Sequence, residues 1–137
     1  MTTDLWINLP VKNIAESKAF FTALGFTLNT QQGNSDNSAC LLVGKKNVVV
    51  MLFDEPTFKG FINGDVALAN NGNEVLLSLG VESKDEVDEL AKKAIAAGGS
   101  SDHQPKEMQG WMYGCVFTDL DGHKWNVLYM DMSKMTN

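Results

Sequence analysis

Ile7-Asn8-Leu9-Pro10-Val11-Lys12-Asn13 decides how this chain folds, because its pattern returns at Leu77-Ser78-Leu79-Gly80-Val81-Glu82-Ser83. In each stretch three apolar residues alternate with other side chains, the period-two spacing of a strand with one buried face. In each, a polar residue then opens a helix. Asn13 is the first N-cap. Ile14, Phe20, Phe21 and Leu24 form the apolar stripe behind it, and Gly25 is the stop. Ser83 is the second N-cap, and Glu86, three residues on, completes a capping box. Val87, Leu90, Ala91, Ala94 and Ile95 carry that helix's stripe, and Gly98-Gly99 ends it. A long pattern present twice marks two copies of one supersecondary unit.

Working outward, each helix is followed by three strand-like segments. In the first half these are Phe26 to Gln31, Ala39 to Val43 and Val48 to Phe53. The last two join through Gly44-Lys45-Lys46-Asn47, a solvated hairpin tip. In the second half they are Gly99 to Met108, interrupted by Pro105, then Met112 to Phe117 and Lys124 to Met130, hinged at Asp119-Leu120-Asp121-Gly122. Pro10 has no ladder N–H, so its strand lies at a sheet edge or ends there. Module 1 spans about 4–54, a connector 55–73 and module 2 about 74–131 of a single domain covering 1–137. In the connector a short helical turn at Thr57–Ile62 would pack Phe58 and Phe61 on one side. The expected fold class is α+β: two βαβββ modules form a curved mixed sheet around one cleft, with the helices outside.

Composition narrows the function. Eleven basic against seventeen acidic residues give a net charge of −6, and the lysines are scattered. Binding nucleic acid takes clustered cations that neutralise phosphates, so no nucleic-acid partner is expected. Met1-Thr2-Thr3-Asp4 is polar, unlike a signal peptide. No apolar run approaches the roughly 20 residues of a membrane helix. Cys40 and Cys115 read as reduced thiols. A cytoplasmic protein with no membrane partner is expected.

Leu9-Pro-Val-Lys-Asn-Ile-Ala-Glu-Ser-Lys-Ala-Phe-Phe-Thr-Ala-Leu-Gly-Phe26 resembles the opening strand and helix of the vicinal oxygen chelate superfamily, the glyoxalase, bleomycin-resistance-protein and extradiol-dioxygenase group. Met112-Tyr-Gly114 and Phe117-Thr-Asp-Leu-Asp-Gly-His-Lys-Trp125 resemble its closing hairpin. The nearest subgroup is the predicted lactoylglutathione lyase-like one. The resemblance implies a homodimer. It also implies a divalent metal, held by His, Gln or Glu on the concave face, that acts as a Lewis acid on substrate oxygens. Carried over by motif, the ligand positions fall at Trp6, Leu76 and Asn126. Indole and isobutyl groups cannot ligate, and a neutral amide replaces the usual carboxylate. No metal and no other cofactor is therefore expected.

The candidate ligand-binding residues are Trp6, Asn8, Ser78, Trp111, Tyr113, Cys115 and Asn126. Trp and Tyr suit flat apolar ligands with a polar handle. If Trp125, Val127 and Tyr129 meet the helices, Asn126 faces the cleft, where its amide reaches a ligand or satisfies a neighbour. Cys115 is a nucleophile only with a base beside it, and is otherwise a small buried thiol. His103 and Glu107 share a face by their spacing, which leaves a displaced metal site as an alternative. His123 reads as a turn residue or a metal ligand, and Asp119-Leu120-Asp121-Gly122 as a turn rather than a calcium loop. No residue can be assigned a catalytic role. The favoured expectation is a protein that binds a small, partly apolar molecule without metal. A metal-dependent lyase, isomerase or dioxygenase and a protein-interaction module are the alternatives.

Overall fold

In the computed structural model, residues 1–67 and 71–134 are described, and they fall into two compact units that divide after Ala67. The first unit runs β1 (Ile7–Val11), α1 (Ile14–Ala23), β2 (Thr27–Leu28), β3 (Ser38–Val43), β4 (Val48–Asp54) and α2 (Glu55–Ile62). The second runs β5 (Leu76–Val81), α3 (Lys84–Ala96), β6 (Ser100–Met108), β7 (Met112–Thr118) and β8 (Lys124–Met130), then a short 3-10 turn at Met132–Lys134. The sheets have the same plan, β1-β4-β3-β2 and β5-β8-β7-β6, with the first strand parallel to the last and the rest antiparallel. Both are βαβββ units of an α+β fold, as the repeat predicts.

Each helix starts where a side chain satisfies a free backbone N–H. Asn13 Oδ1 accepts from Glu16 N at 2.9 Å, and Ser83 Oγ from Glu86 N at 3.2 Å. Glu86 Oε2 completes the second box by accepting from Glu82 N at 2.6 Å. The connector is more ordered than a single turn. Asp54 caps α2 by accepting from Thr57 N, Pro56 lies in its first turn, and Asn63 closes it in the left-handed conformation. Of the 55–73 segment, residues 68–70 lie outside the described chain.

One face of each sheet carries the core. In the first unit Val11, Phe20, Phe21, Leu41, Val50 and Leu52 are buried, with Phe20 and Phe21 edge-to-face at 5.0 Å. In the second, Val87, Ala91, Ala94, Cys115, Phe117, Trp125 and Val127 are buried, and the Phe117 and Trp125 rings stack at 6.1 Å. Each fully buried apolar side chain contributes roughly 1.5–3 kcal/mol. Pro10 sits on β1, an edge strand, where its missing donor costs nothing.

The opposite face of the second sheet is open along β5. Along β5 Leu76, Ser78 and Gly80 are exposed, while Leu77, Leu79 and Val81 are half-buried. β2 has only two residues where six were expected, because the chain after Leu28 turns through Asn29. That segment brings Gly33 onto Cys40 and Met51. Gly33 has φ +82, and a Cβ there would stand 2.7 Å from Cys40 Cβ, so only glycine fits.

Candidate functional site

Ser78 and Asn126 are joined by strand register. β5 and β8 run parallel with Ser78 opposite Asn126, both on the open face. Trp125 and Val127, on either side, are buried against the helix side, so alternation points Asn126 away from the core. The Asn126 amide donates from Nδ2 to Ser78 Oγ at 3.2 Å. Apolar groups surround the pair: Leu76 beside Ser78, Leu128 and Met130 along β8, and Val116 opposite Asn126 on β7.

In the first unit the matching register places Asn8 opposite Met51. Asn8 is exposed, and Met51 is half-buried against Gly33. Trp6 lies just before β1 and is 56% exposed.

Tyr113 and Cys115 lie on the other side of their sheet. Both pair with the helix-facing residues of β8, Tyr129 and Val127. The Tyr113 hydroxyl donates to Asp88 Oδ1 on α3 at 2.7 Å, and Lys84 Nζ stands 5.5 Å above its ring. The Asp88 carboxylate and partial burial hold the phenol up at about 12. Cys115 is buried, with Sγ 3.9 Å from the Val87 carbonyl, and burial pushes its thiol up to about 11. A thiol held protonated next to a carbonyl is not an activated nucleophile. Neither residue therefore joins Ser78 and Asn126. Trp111 is half-buried in the β6–β7 turn, where its carbonyl accepts from Asp131 N at 2.8 Å. It borders a shallow charged depression with Lys84, Glu107 and Tyr129.

His103 and Glu107 do not share a face. β6 shifts register between Ser101 and His103 and again between His103 and Lys106. His103 thus lies opposite Val116 and Glu107 opposite Tyr113, and those two β7 residues, three apart, point to opposite sides. Glu107 is ion-paired to Lys84, which holds its carboxyl below the usual range. Asp119-Leu120-Asp121-Gly122 is a hairpin turn. Asp119, buried, accepts from Asp121 N and His123 N at Oδ1 and from Trp125 Nε1 at Oδ2, all at 3.0 Å. Its carboxylate is used up in closing the turn.

Two residues not among the candidates, Gly80 and Gly114, flank Leu128 on the open face. Glycines inside strands were the available signal, since such glycines mark close approach or open space. A separate hollow of about 300 Å³ lies on the helix side between α3 and β6, lined by Asp88, Ala91, Lys92, Ile95, Gln104, Pro105 and Tyr113.

Two βαβββ units with the same strand order, each packing its helix on one face of its sheet, define the class of scaffold. The chain belongs to the glyoxalase/bleomycin resistance protein/dioxygenase superfamily, whose sequence profile matches residues 5–127. A hypothetical protein from S. aureus is similar at 35% identity and TM-score 0.83, over 94% of this chain and 95% of that one. A family enzyme from Burkholderia phytofirmans PsJN is similar at 20% identity and TM-score 0.75, over 91% and 96%. A mutant fosfomycin resistance protein from Listeria monocytogenes, complexed with Mn(II) and a dihydroxypropylphosphonic acid, is similar at 17% identity and TM-score 0.66, over 93% and 90%. A search of curated proteins gave no match.

The family resemblance implies a divalent metal at Trp6, Leu76 and Asn126, and these side chains do not fit one. Trp6 and Leu76 present no lone pair. Asn126 offers one neutral carbonyl, and its nitrogen is committed to Ser78. Hard divalent ions need several oxygen or nitrogen ligands with compensating charge. Among the described residues, no three or more His, Cys, Asp or Glu side chains cluster in a way that could hold a metal.

Proposed function

We propose that the protein binds a small, partly apolar molecule on the open sheet face that carries Ser78 and Asn126, without the metal usual in its family. The donor set carries this reading: an indole, an alkyl chain and an amide stand where a metal would need ligands. An apolar surround with a few convergent polar groups is the ordinary make-up of a small-molecule site. Binding here is by contact and hydrogen bonding alone, and the protein acts as a carrier or sequestering agent in the cytoplasm, as a homodimer. Against the displaced-metal alternative, which drew on His103, Glu107 and His123, stand the opposite facing of His103 and Glu107 and the pairing of Glu107 with Lys84.

Equilibrium dialysis against Ni, Zn and Mn tests this reading. The expected result is uptake well below one ion per chain, and stoichiometric, tight uptake contradicts it. Light scattering tests the assembly: a mass near twice the 15.0 kDa chain is expected at micromolar concentration, and the monomer mass contradicts it.

A further inference from the structure

The row of the second sheet that crosses Gly80, Leu128 and Gly114 is lopsided. Leu128 lies opposite Gly80 on one side and Gly114 on the other. A Cβ at Gly114 would stand 2.7 Å from Leu128 Cδ2 and 3.3 Å from Met108 Cε. A Cβ at Gly80 would meet nothing within 4 Å. Leu128 therefore leans over β7, and a step is left open above β5 at Gly80. Gly80 lies two residues along β5 from Ser78, on the same face, so the step adjoins the Ser78–Asn126 pair.

The pair turns one donor and one acceptor outward. Asn126 Nδ2 donates to Ser78 Oγ, which leaves the Ser78 hydroxyl proton free to donate outward. Asn126 Oδ1 has no partner among the described residues and is free to accept. A hydroxyl donor thus stands beside a carbonyl acceptor, both on the open face. The ligand edge that matches is an acceptor next to a donor, the C=O and N–H of a cis-amide. A carboxylate presents two acceptors and sets one against Oδ1. An ammonium group presents donors only and leaves Ser78 unanswered. The net charge of −6 also disfavours anions.

We propose that Ser78 and Asn126 read the cis-amide edge of a neutral lactam whose flat apolar body lies in the step over Gly80, against Leu128. This rests on the metal-free binding reading above and names its ligand class.

Isocarbostyril, a flat bicyclic lactam, is the probe, with N-methylisocarbostyril and naphthoate for comparison. Calorimetry of the full chain should give saturable binding of the lactam and at least about tenfold weaker binding of the N-methyl compound, the usual consequence of a buried polar group left unpaired. Naphthoate should bind no better than the N-methyl compound. Asn126→Leu should remove the preference, so that the lactam and the N-methyl compound bind with the same affinity. Gly80→Leu should abolish lactam binding. Should Gly80→Leu fold poorly, amide NMR on the unaltered protein gives the same answer: lactam-induced shifts should centre on Gly80, Ser78 and the Asn126 side chain. Tighter binding of naphthoate than of lactam, or shifts centred elsewhere, overturns the proposal. Equal affinity for all three also overturns it while leaving the apolar-binding reading standing. If none of the three binds and the chain takes up metal stoichiometrically, both readings fall.

Discussion

Asp119 shows what a single residue in this chain is for. Its two oxygens hold two backbone N–H groups of the turn and the indole N–H of buried Trp125. Asp119→Ala removes the acceptor of that indole donor and of two turn N–H groups, so a loss of about 1–3 kcal/mol is expected in urea unfolding. A loss too small to resolve contradicts the bonding described. Cys115 and Tyr113 make a pH prediction. Folding raises the thiol from 9.0 to about 11 and the phenol from 10.0 to about 12. For both acids the folded state favours the neutral form. Their contribution is whole below the unfolded values, and it falls as pH rises from 9 towards 12 while the unfolded chain gives up protons first. Thermal melts should show stability declining across that window. Cys115→Ala with Tyr113→Phe should flatten the decline, and an unchanged slope in the double variant assigns it to other groups. Strand alternation separated Asn126 from Trp125 and Val127, which are buried, and Asn126 lies on the open face with Ser78. The same alternation, applied without knowing which face meets α3, could not show that Tyr113 and Cys115 belong to the core side.

Among the elements, α3 was the easiest to read and β6 the hardest. Ser83 and Glu86 announce α3 by chemistry local to four residues, and the structure closes both bonds of the box. Ser83→Ala should cost about 0.5–2 kcal/mol, seen as a lower melting temperature with an unchanged helical spectrum at low temperature. An unaffected melting temperature argues that packing of Val87, Ala91 and Ala94 alone holds the helix. β6 hides two register shifts. Bulges answer to the partner strand, not to the strand's own residues, so the spacing of His103 and Glu107 gave the wrong face. α2 was underestimated because its apolar positions are few. Its signals lay at its ends, where Asp54 caps and Asn63 closes, and not in a stripe. β2 was overestimated, since Asn29 draws its own following backbone into a turn after Leu28.

Across the whole molecule the repeat was written plainly. The duplicated alternation at Leu9 and Leu79 becomes two sheets of identical strand order, and the family assignment follows over residues 5–127. What the repeat did not show is how far the faces away from the two helices have diverged. In the first unit Gly33 crosses over Cys40 and Met51; in the second Gly80 leaves space beside Ser78 and Asn126. Those differences depend on a loop path and on the lean of Leu128, neither of which periodicity records. Asn126→Glu places a carboxylate at one position without supplying ligands at Trp6 or Leu76. It should gain no stoichiometric Mn(II) uptake in dialysis; uptake of one ion per chain would show that other ligands complete the site. Metal-free binding at Ser78 and Asn126 is a proposal that a crystal can decide. Crystals soaked with Mn(II) and isocarbostyril, measured at the manganese edge, test this most directly. The prediction is no anomalous peak within bonding distance of Asn126, with flat organic density over Gly80 hydrogen-bonded to Ser78 and Asn126. A manganese peak bonded to Asn126 Oδ1 would contradict it.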